Sequence, residues 1–161
     1  MSDEQNWVKV ERVFDAPIER VWDLWTDPEL FQQWYGPRGM TIPVAEMDVV
    51  KGGVRKICMS MKTPDREMSM WSTGVFKEVT KPSRLVYTES MCDENGVIIS
   101  PQSMGMPEGH PEITEVIVDL SEADGKTTMK MVHVGIVAGT AGDGGWNQAF
   151  DKLAEFIEAN A

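Results

Sequence analysis

Residues 144–161 of the chain read GGWNQAFDKLAEFIEANA, a segment typical of one amphipathic helix. Its apolar side chains recur with the spacing of a single helical face, at Trp146, Ala149, Phe150, Leu153 and Ile157. Asp143 and two glycines precede this run and provide a capping residue. The spacing predicts a helix of about 14 residues, roughly 21 Å long. Its single apolar stripe needs a broad apolar surface to pack against, which the rest of the chain should supply.

The preceding residues predict such a surface, because they contain seven stretches with strand character separated by turn signals. The predicted strands are Trp7–Asp15, Ile42–Val50, Val54–Lys62, Met68–Val79, Leu85–Cys92, Ile113–Ser121 and Thr127–Gly135. Tight turns such as Asn95-Gly96 and Asp124-Gly125 favour antiparallel neighbours. Two short helices follow the first strand, with Asp15 and Asp27 as the predicted caps. The pattern predicts an α+β fold in one domain, residues 1–161.

The composition excludes several classes of function. The chain has 161 residues and a formal charge of −11, which disfavours binding to nucleic acid or to an anionic membrane surface. No stretch approaches the roughly 18 apolar residues of a membrane span. Two cysteines form no disulfide framework, and residues 1–5 do not resemble a signal peptide, so we expect a cytoplasmic protein with free thiols. The His and Cys residues lack metal-ligand spacing, no dinucleotide or phosphate motif is present, and no cofactor or metal is predicted.

A curved sheet is wider than one helix, and this difference suggests where a ligand could bind. A large antiparallel sheet twists and curls, and a single helix fills only part of the resulting concavity. Large side chains must fill the remaining space, or it stays open as a cavity. The chain is rich in candidates for lining it, with 12 methionines and 6 tryptophans.

Several short motifs resemble one known superfamily in their order and spacing. They are Val13-Phe14-Asp15-Ala16-Pro17, Trp25-Thr26-Asp27-Pro28-Glu29, Trp34-Tyr35-Gly36-Pro37, Gly52-Gly53, Gly74-Val75-Phe76-Lys77-Glu78-Val79 and Gly145-Trp146. The chain resembles the START-like (SRPBCC) superfamily over nearly its whole length. It is most similar to the branch homologous to the C-terminal domain of the activator of the heat-shock protein 90 ATPase. The resemblance implies a helix-grip fold with about six to seven strands around the long C-terminal helix, and an internal hydrophobic cavity.

The resemblance leaves the function open, because members of the superfamily include lipid carriers, polyketide cyclases, an antibiotic-resistance protein and chaperone activators. The leading hypothesis is binding of a small hydrophobic or amphipathic molecule between the sheet and the C-terminal helix. The alternatives are a chaperone-interacting module linked to the stress response, and a cyclase- or hydrolase-like enzyme acting on an aromatic or polyketide substrate. We expect a monomer or weak homodimer without nucleic-acid partners or membrane insertion.

Candidate ligand-binding residues are methionines and aromatic residues of the strands, the helices and the irregular loop 100–111 that could face the concavity, together with one histidine. They are Trp34, Met59, Met61, Trp71, Tyr87, Met91, Met106, Met131, His133, Trp146 and Phe150. Each of these residue types also occurs as ordinary core packing, since methionine fills irregular gaps and aromatic side chains dominate cores. The alternation alone does not distinguish a binding site from a core.

Three polar residues fall among apolar ones in the strand patterns: Arg12, Glu89 and His133. Buried charge is costly unless it is paired, so the three could form one polar site at the floor of the concavity. In that case Glu89 or His133 would be an acid–base group, and Arg12 would hold an anion or an enolate. The alternative is that strand ends and bulges turn these side chains outward.

Overall fold

The computed structural model describes residues 6–104, 111–139 and 141–160. The strands are β1 (Trp7–Phe14), β2 (Met40–Met47), β3 (Val54–Lys62), β4 (Glu67–Thr80), β5 (Arg84–Cys92), β6 (Thr114–Ala123) and β7 (Lys126–Val137). The α-helices are α1 (Ile18–Thr26), α2 (Pro28–Phe31) and α3 (Ala141–Ala159). A 3₁₀ turn covers Pro101–Met104.

The seven strands form one curled antiparallel sheet in the order β1-β7-β6-β5-β4-β3-β2. Consecutive strands from β2 to β7 are neighbours in the sheet, and β1 is the edge strand beside β7. Tight turns join several of them, as at Asp124-Gly125, where both residues have positive φ angles. The predicted α+β helix-grip architecture is confirmed, with α3 packed against the concave face of the sheet.

Polar contacts fix α3 along two sides of its length. On one side, the Arg12 guanidinium of β1 donates to Asp151 Oδ1 at 2.9 Å and to Asn147 Oδ1 at 3.1 Å. On the other side, Lys152 Nζ donates to the carbonyl oxygens of Tyr35 and Pro37 at 3.3 and 3.4 Å. Burial lowers the pKa of Lys152, and the nearby Arg38 lowers it further. These contacts hold the apolar face of the helix over the sheet.

Helix α3 is longer than predicted, with 19 residues from Ala141 to Ala159, and it includes the two glycines. Glycine costs about 1 kcal/mol in a helix interior relative to alanine. Asp143 in the first turn compensates in part, because a helix N-terminus favours negative charge and the Asp143 carboxylate accepts a hydrogen bond from the Gly139 N–H. The glycines therefore lie inside the helix rather than before it.

The first helix begins later than predicted, whereas the second is capped as expected. Helix α1 starts at Ile18, and Pro17 occupies its N-cap position, so Asp15 is not the cap. The Ile18 N–H instead donates to Glu122 Oε1 of β6 at 2.7 Å. The Asp27 side chain accepts from the Glu29 N–H at 3.0 Å, and Pro28 follows it at the first helical position.

Candidate functional site

A group of polar side chains meets on the concave face, on the side of α3 that lies toward β3, β4 and β5. Strand alternation places Arg55 of β3, Tyr87 and Glu89 of β5, and His133 of β7 on this face. Tyr35, in the connection after α2, reaches the same group. We call these five residues the polar cluster. Gly74 of β4 lies opposite Arg55. Because glycine has no side chain, β4 places nothing between Arg55 of β3 and the side chains of β5 at this point.

Arg55 is the most unusual member of the polar cluster, because its side chain is only 1% exposed. Its guanidinium lies over the Tyr87 ring, 4.0 Å from the ring centre, a cation–π arrangement. Its Nη1 atom is 3.5 Å from Glu89 Oε2. None of its three side-chain nitrogens forms a hydrogen bond with another described residue. Burial lowers the Arg55 pKa, but Tyr87, Tyr35 and Glu89 outweigh it, and the net effect raises the pKa. The Tyr35 hydroxyl contributes through a polar contact that is too poorly aligned to count as a hydrogen bond.

The two tyrosines form a hydrogen-bonded pair beside Arg55. Their hydroxyl oxygens are 2.9 Å apart, and the Tyr35 hydroxyl is 3.5 Å from Glu89 Oε2. Burial raises the pKa of both tyrosines above the ordinary value, and the Glu89 charge raises it further. Both phenols therefore keep their protons, and the Tyr35 hydroxyl donates toward the Glu89 carboxylate while the Tyr87 hydroxyl pairs with that of Tyr35.

Both ring nitrogens of His133 contact neighbouring side chains. The Trp146 Nε1–H donates to His133 Nδ1 at 2.9 Å, and an indole nitrogen can only donate, so Nδ1 carries no proton. The proton is on Nε2, which lies 2.9 Å from Thr114 Oγ1 and 3.8 Å from Glu89 Oε1. The Thr114 hydroxyl in turn donates to the Glu89 carbonyl oxygen at 3.3 Å. In this arrangement His133 Nδ1 accepts from Trp146, and Nε2 lies toward Thr114 and Glu89.

The structure brings Glu89 and His133 together but places Arg12 elsewhere. Arg12 is on the inner face of β1, yet its side chain turns to the rim and pairs with Asp151 of α3. Arg12 therefore does not belong to the polar site predicted from the sequence, because α3 lies at that rim and supplies a carboxylate. Arg55 is the buried cation instead. The signal was available, since Arg55 alternates with Ile57 and Met59 on one face of β3.

Methionines extend the concave face beyond the polar cluster. Met59 and Met61 of β3 pair with Met70 and Met68 of β4, and Met91 of β5 lies beside Ser72. Met68 is 44% exposed. The other four are half-buried: Met59, Met61, Met70 and Met91. We call these four residues the methionine surface. It is an apolar region, partly open to solvent, that continues from Arg55 and Glu89 along β3, β4 and β5.

Other predicted site residues lie away from this surface. Trp71 pairs with Cys58 and Cys92, so it lies on the convex face, with Lys56 Nζ 5.1 Å from its ring centre. The prediction that Trp71 points into the concavity is wrong, because its position in β4 has the opposite parity to Met70. Trp34, Met131 and Phe150 are fully buried in the core. Met106 lies outside the described residues.

Aromatic rings fill the space beneath the first half of α3. The rings of Trp25, Trp34, Trp146 and Phe150 contact one another, with centroid separations from 4.8 to 6.3 Å. Surface cavities of about 550 and 570 Å³ lie elsewhere, one bordered by Lys56 and Thr73 of the convex face and one between α1 and the end of α3. Within the part of the chain that the structure describes, the methionine surface is therefore the partly exposed region of the concave face. The space under the first half of α3 is filled by side chains.

No group of three or more His, Cys, Asp or Glu side chains suited to a metal ion occurs within residues 6–104, 111–139 and 141–160. Both cysteines are buried free thiols. In the described part of the chain, no helix combines the length and hydropathy that a membrane crossing requires.

A curled antiparallel sheet that grips a C-terminal helix defines a helix-grip protein of the START-like class. The model of the family described as activator of Hsp90 ATPase homolog 1-like protein matches residues 15–158, and the chain belongs to this family. Comparison with curated proteins gives no match.

Solved structures share this fold at low sequence identity. Protein CV1439 from Chromobacterium violaceum is 24% identical, with a TM-score of 0.75 over 95% of this chain and 97% of that one. The AHSA1 protein SPO3351 from Silicibacter pomeroyi is 18% identical, with a TM-score of 0.71 over 95% and 98%. CalU16 from Micromonospora echinospora is 22% identical, with a TM-score of 0.60 over 92% and 74%. At these identities the likeness shows the fold alone.

Proposed function

We propose that the chain binds a small apolar or amphipathic molecule on the concave face, over the methionine surface and beside the polar cluster. The half-exposed methionines of β3, β4 and β5 carry this proposal. Ligand sites are mostly apolar with a few well-placed polar groups, and the polar cluster supplies such groups at one end. Methionine side chains are flexible and polarizable, so they adapt to guests of different shape. The family and fold are consistent with a ligand-binding module in general.

The test compares two substitutions on the same strand that face opposite sides of the sheet. Met70→Glu puts a charge on the methionine surface, whereas Val75→Glu changes a residue that is 40% exposed on the convex face. Binding of an apolar fluorescent probe should weaken tenfold or more in Met70→Glu and stay unchanged in Val75→Glu. Equal affinities in both variants, or no saturable binding by the unmodified protein, would contradict the proposal. Native mass spectrometry of freshly purified protein should show a co-purified small molecule.

The family name supports a second candidate, a contact with an Hsp90-type chaperone. This function would use an outer surface and would not need the concave face. Stimulation of the chaperone ATPase by both glutamate variants, to the level of the unmodified protein, would favour this candidate. Absence of stimulation by the unmodified protein would exclude it.

A further inference from the structure

The buried guanidinium of Arg55 has hydrogen-bonding capacity that the described residues do not use. A guanidinium carries five N–H donors, and the Arg55 nitrogens form no hydrogen bond with any described residue. A buried donor without an acceptor is costly, and the cost is larger for a charged group. The Tyr87 ring face stabilises the charge but provides no acceptor oxygen. Arg55 is therefore a candidate for contact with an acceptor on the bound ligand.

The charge of Arg55 is already balanced by a neighbour. Glu89 Oε2 is 3.5 Å from Nη1, close enough for electrostatic attraction, but the pair is not aligned as a hydrogen bond. A ligand carboxylate would add a second negative charge beside Glu89, and like charges at this separation repel. The chain as a whole also carries a formal charge of −11. What Arg55 lacks is acceptor atoms rather than negative charge.

Glu89 is the most exposed member of the polar cluster, with 20% of its side chain accessible, so a ligand would approach Arg55 past Glu89. Met91 lies two residues further along the same face of β5 and is half-buried. The Glu89 carboxylate contacts Arg55 and the Tyr35 hydroxyl only at 3.5 Å, so rotation of its side chain would break no short hydrogen bond and would move Oε2 away from Nη1. A ligand lying on the methionine surface would then reach the guanidinium with its polar end.

We infer that the ligand is an uncharged carbonyl compound, such as a ketone or an ester, whose oxygen accepts hydrogen bonds from Arg55 while its apolar part lies on the methionine surface. This inference rests on the proposed function and specifies the chemistry of its ligand. A neutral carbonyl oxygen accepts two hydrogen bonds without adding charge beside Glu89. Glu89 stays beside the guanidinium after its side chain rotates, so its charge still balances that of Arg55.

The experiment uses three ligands of matched chain length: methyl nonyl ketone, n-undecane and undecanoate. Affinities are measured for the unmodified protein and for Arg55→Met, which removes the donors and keeps the apolar stem. In Arg55→Met the ketone should bind about tenfold to a hundredfold more weakly, the loss expected for hydrogen bonds to a charged donor, while the alkane affinity stays unchanged. Undecanoate should bind the unmodified protein more weakly than the ketone does.

A second measurement does not depend on the stability of a variant. The infrared carbonyl stretch of the ketone bound to the unmodified protein should lie at lower wavenumber than in an apolar solvent, because hydrogen bonds from Arg55 weaken the C=O bond. Arg55→Lys, which keeps the charge and loses the planar fork, should show a smaller shift.

The outcomes separate the two proposals. If none of the three ligands binds, the proposed function fails, and this inference fails with it. If ketone and alkane bind, but their affinity ratio is the same in Arg55→Met and the carbonyl stretch matches that in apolar solvent, only this inference is overturned. Tighter binding of undecanoate than of the ketone would also overturn it.

Discussion

The polar cluster shows how a few residues reconcile burial with charge. Arg55 keeps its charge at 1% exposure because a ring face, two hydroxyl dipoles and one carboxylate surround it. Replacing such a network by apolar residues is often neutral or stabilising in other proteins, so its presence is weak evidence for a role in stability. A role in binding gives a better reason for these five residues to meet.

The two tyrosines provide a pH-dependent test of this environment. Their pKa values are raised in the folded state, whereas an unfolded tyrosine titrates near pH 10. Their contribution to the free energy of unfolding is therefore fully present below about pH 10 and is lost as the pH rises from there through the folded pKa. We expect the native protein to show no tyrosinate absorbance at about pH 10, and its stability to fall above that pH.

The measurement is unambiguous because the chain contains only two tyrosines, Tyr35 and Tyr87. Ultraviolet absorbance of tyrosinate is followed against pH, with the denatured chain as the control that titrates normally. Reversible tyrosinate absorbance of the folded protein near pH 10 would show that the hydroxyl pair is open to solvent.

Sequence alternation predicted part of the site and missed the residue at its centre. It placed Glu89 and His133 on the inner face because each lies in a strand of regular period. It also indicated Arg12, whose side chain is long enough to reach the rim and pair with Asp151. A single-sequence pattern assigns the face of a residue but not the direction in which a long side chain leaves it. Arg55 has the parity of the methionines on the same strand, but alternation alone does not show that a charged side chain is buried.

At the scale of elements, local signals predicted the helices, but long-range contacts set where they start. The Asp27 cap is local and was predicted correctly. The cap of α1 comes from Glu122, which is 104 positions away in the sequence, so no local pattern could show it. The extension of α3 through two glycines likewise depends on where the helix docks. A Cβ built on Gly145 would lie 3.4 Å from the Pro37 side chain.

Two glycine substitutions test these elements in opposite directions. Gly144 lies in α3 with open space around an added Cβ, so Gly144→Ala should stabilise the protein by about 1 kcal/mol through helix propensity. In β4, a Cβ at Gly74 would lie 1.8 Å from the Thr88 carbonyl oxygen. Gly74→Ala should therefore destabilise the protein by about 3 kcal/mol through overpacking.

Urea unfolding of the two variants beside the unmodified protein measures both effects, and each variant serves as the other's control. A loss of stability in Gly144→Ala would mean that α3 does not include this residue. A neutral Gly74→Ala would mean that β4 and β5 are less close at this point.

For the whole molecule, the sequence was enough to predict the fold because its turn signals are local and frequent. Seven strands joined mostly by short connections leave few arrangements other than an antiparallel sheet, and one amphipathic helix must cover it. The location of the open region was harder to predict. It depends on how far α3 and its aromatic residues extend across the sheet, and strand periodicity carries no information about that distance.

The cysteines test whether the sheet is closed on its convex face. Cys58 and Cys92 are 3% and 4% exposed, and burial raises the pKa of Cys92. Both thiols should react with Ellman's reagent only as fast as the molecule unfolds, since the thiolate must form and meet the reagent. The denatured chain is the control in which two thiols react at once. Rapid reaction of either thiol in the native protein would show local opening of this face.

Strand β2, one of the two edge strands of the sheet, also bears on how copies of the protein meet. Its pairing with β3 shifts between Thr41 and Val44, and Pro43 lies at this irregularity without an amide hydrogen to offer. An incoming chain that tried to add as an eighth strand would find its ladder interrupted there. Pro43 therefore disfavours the addition of a second copy of the chain along β2, the first step toward an open-ended fibre.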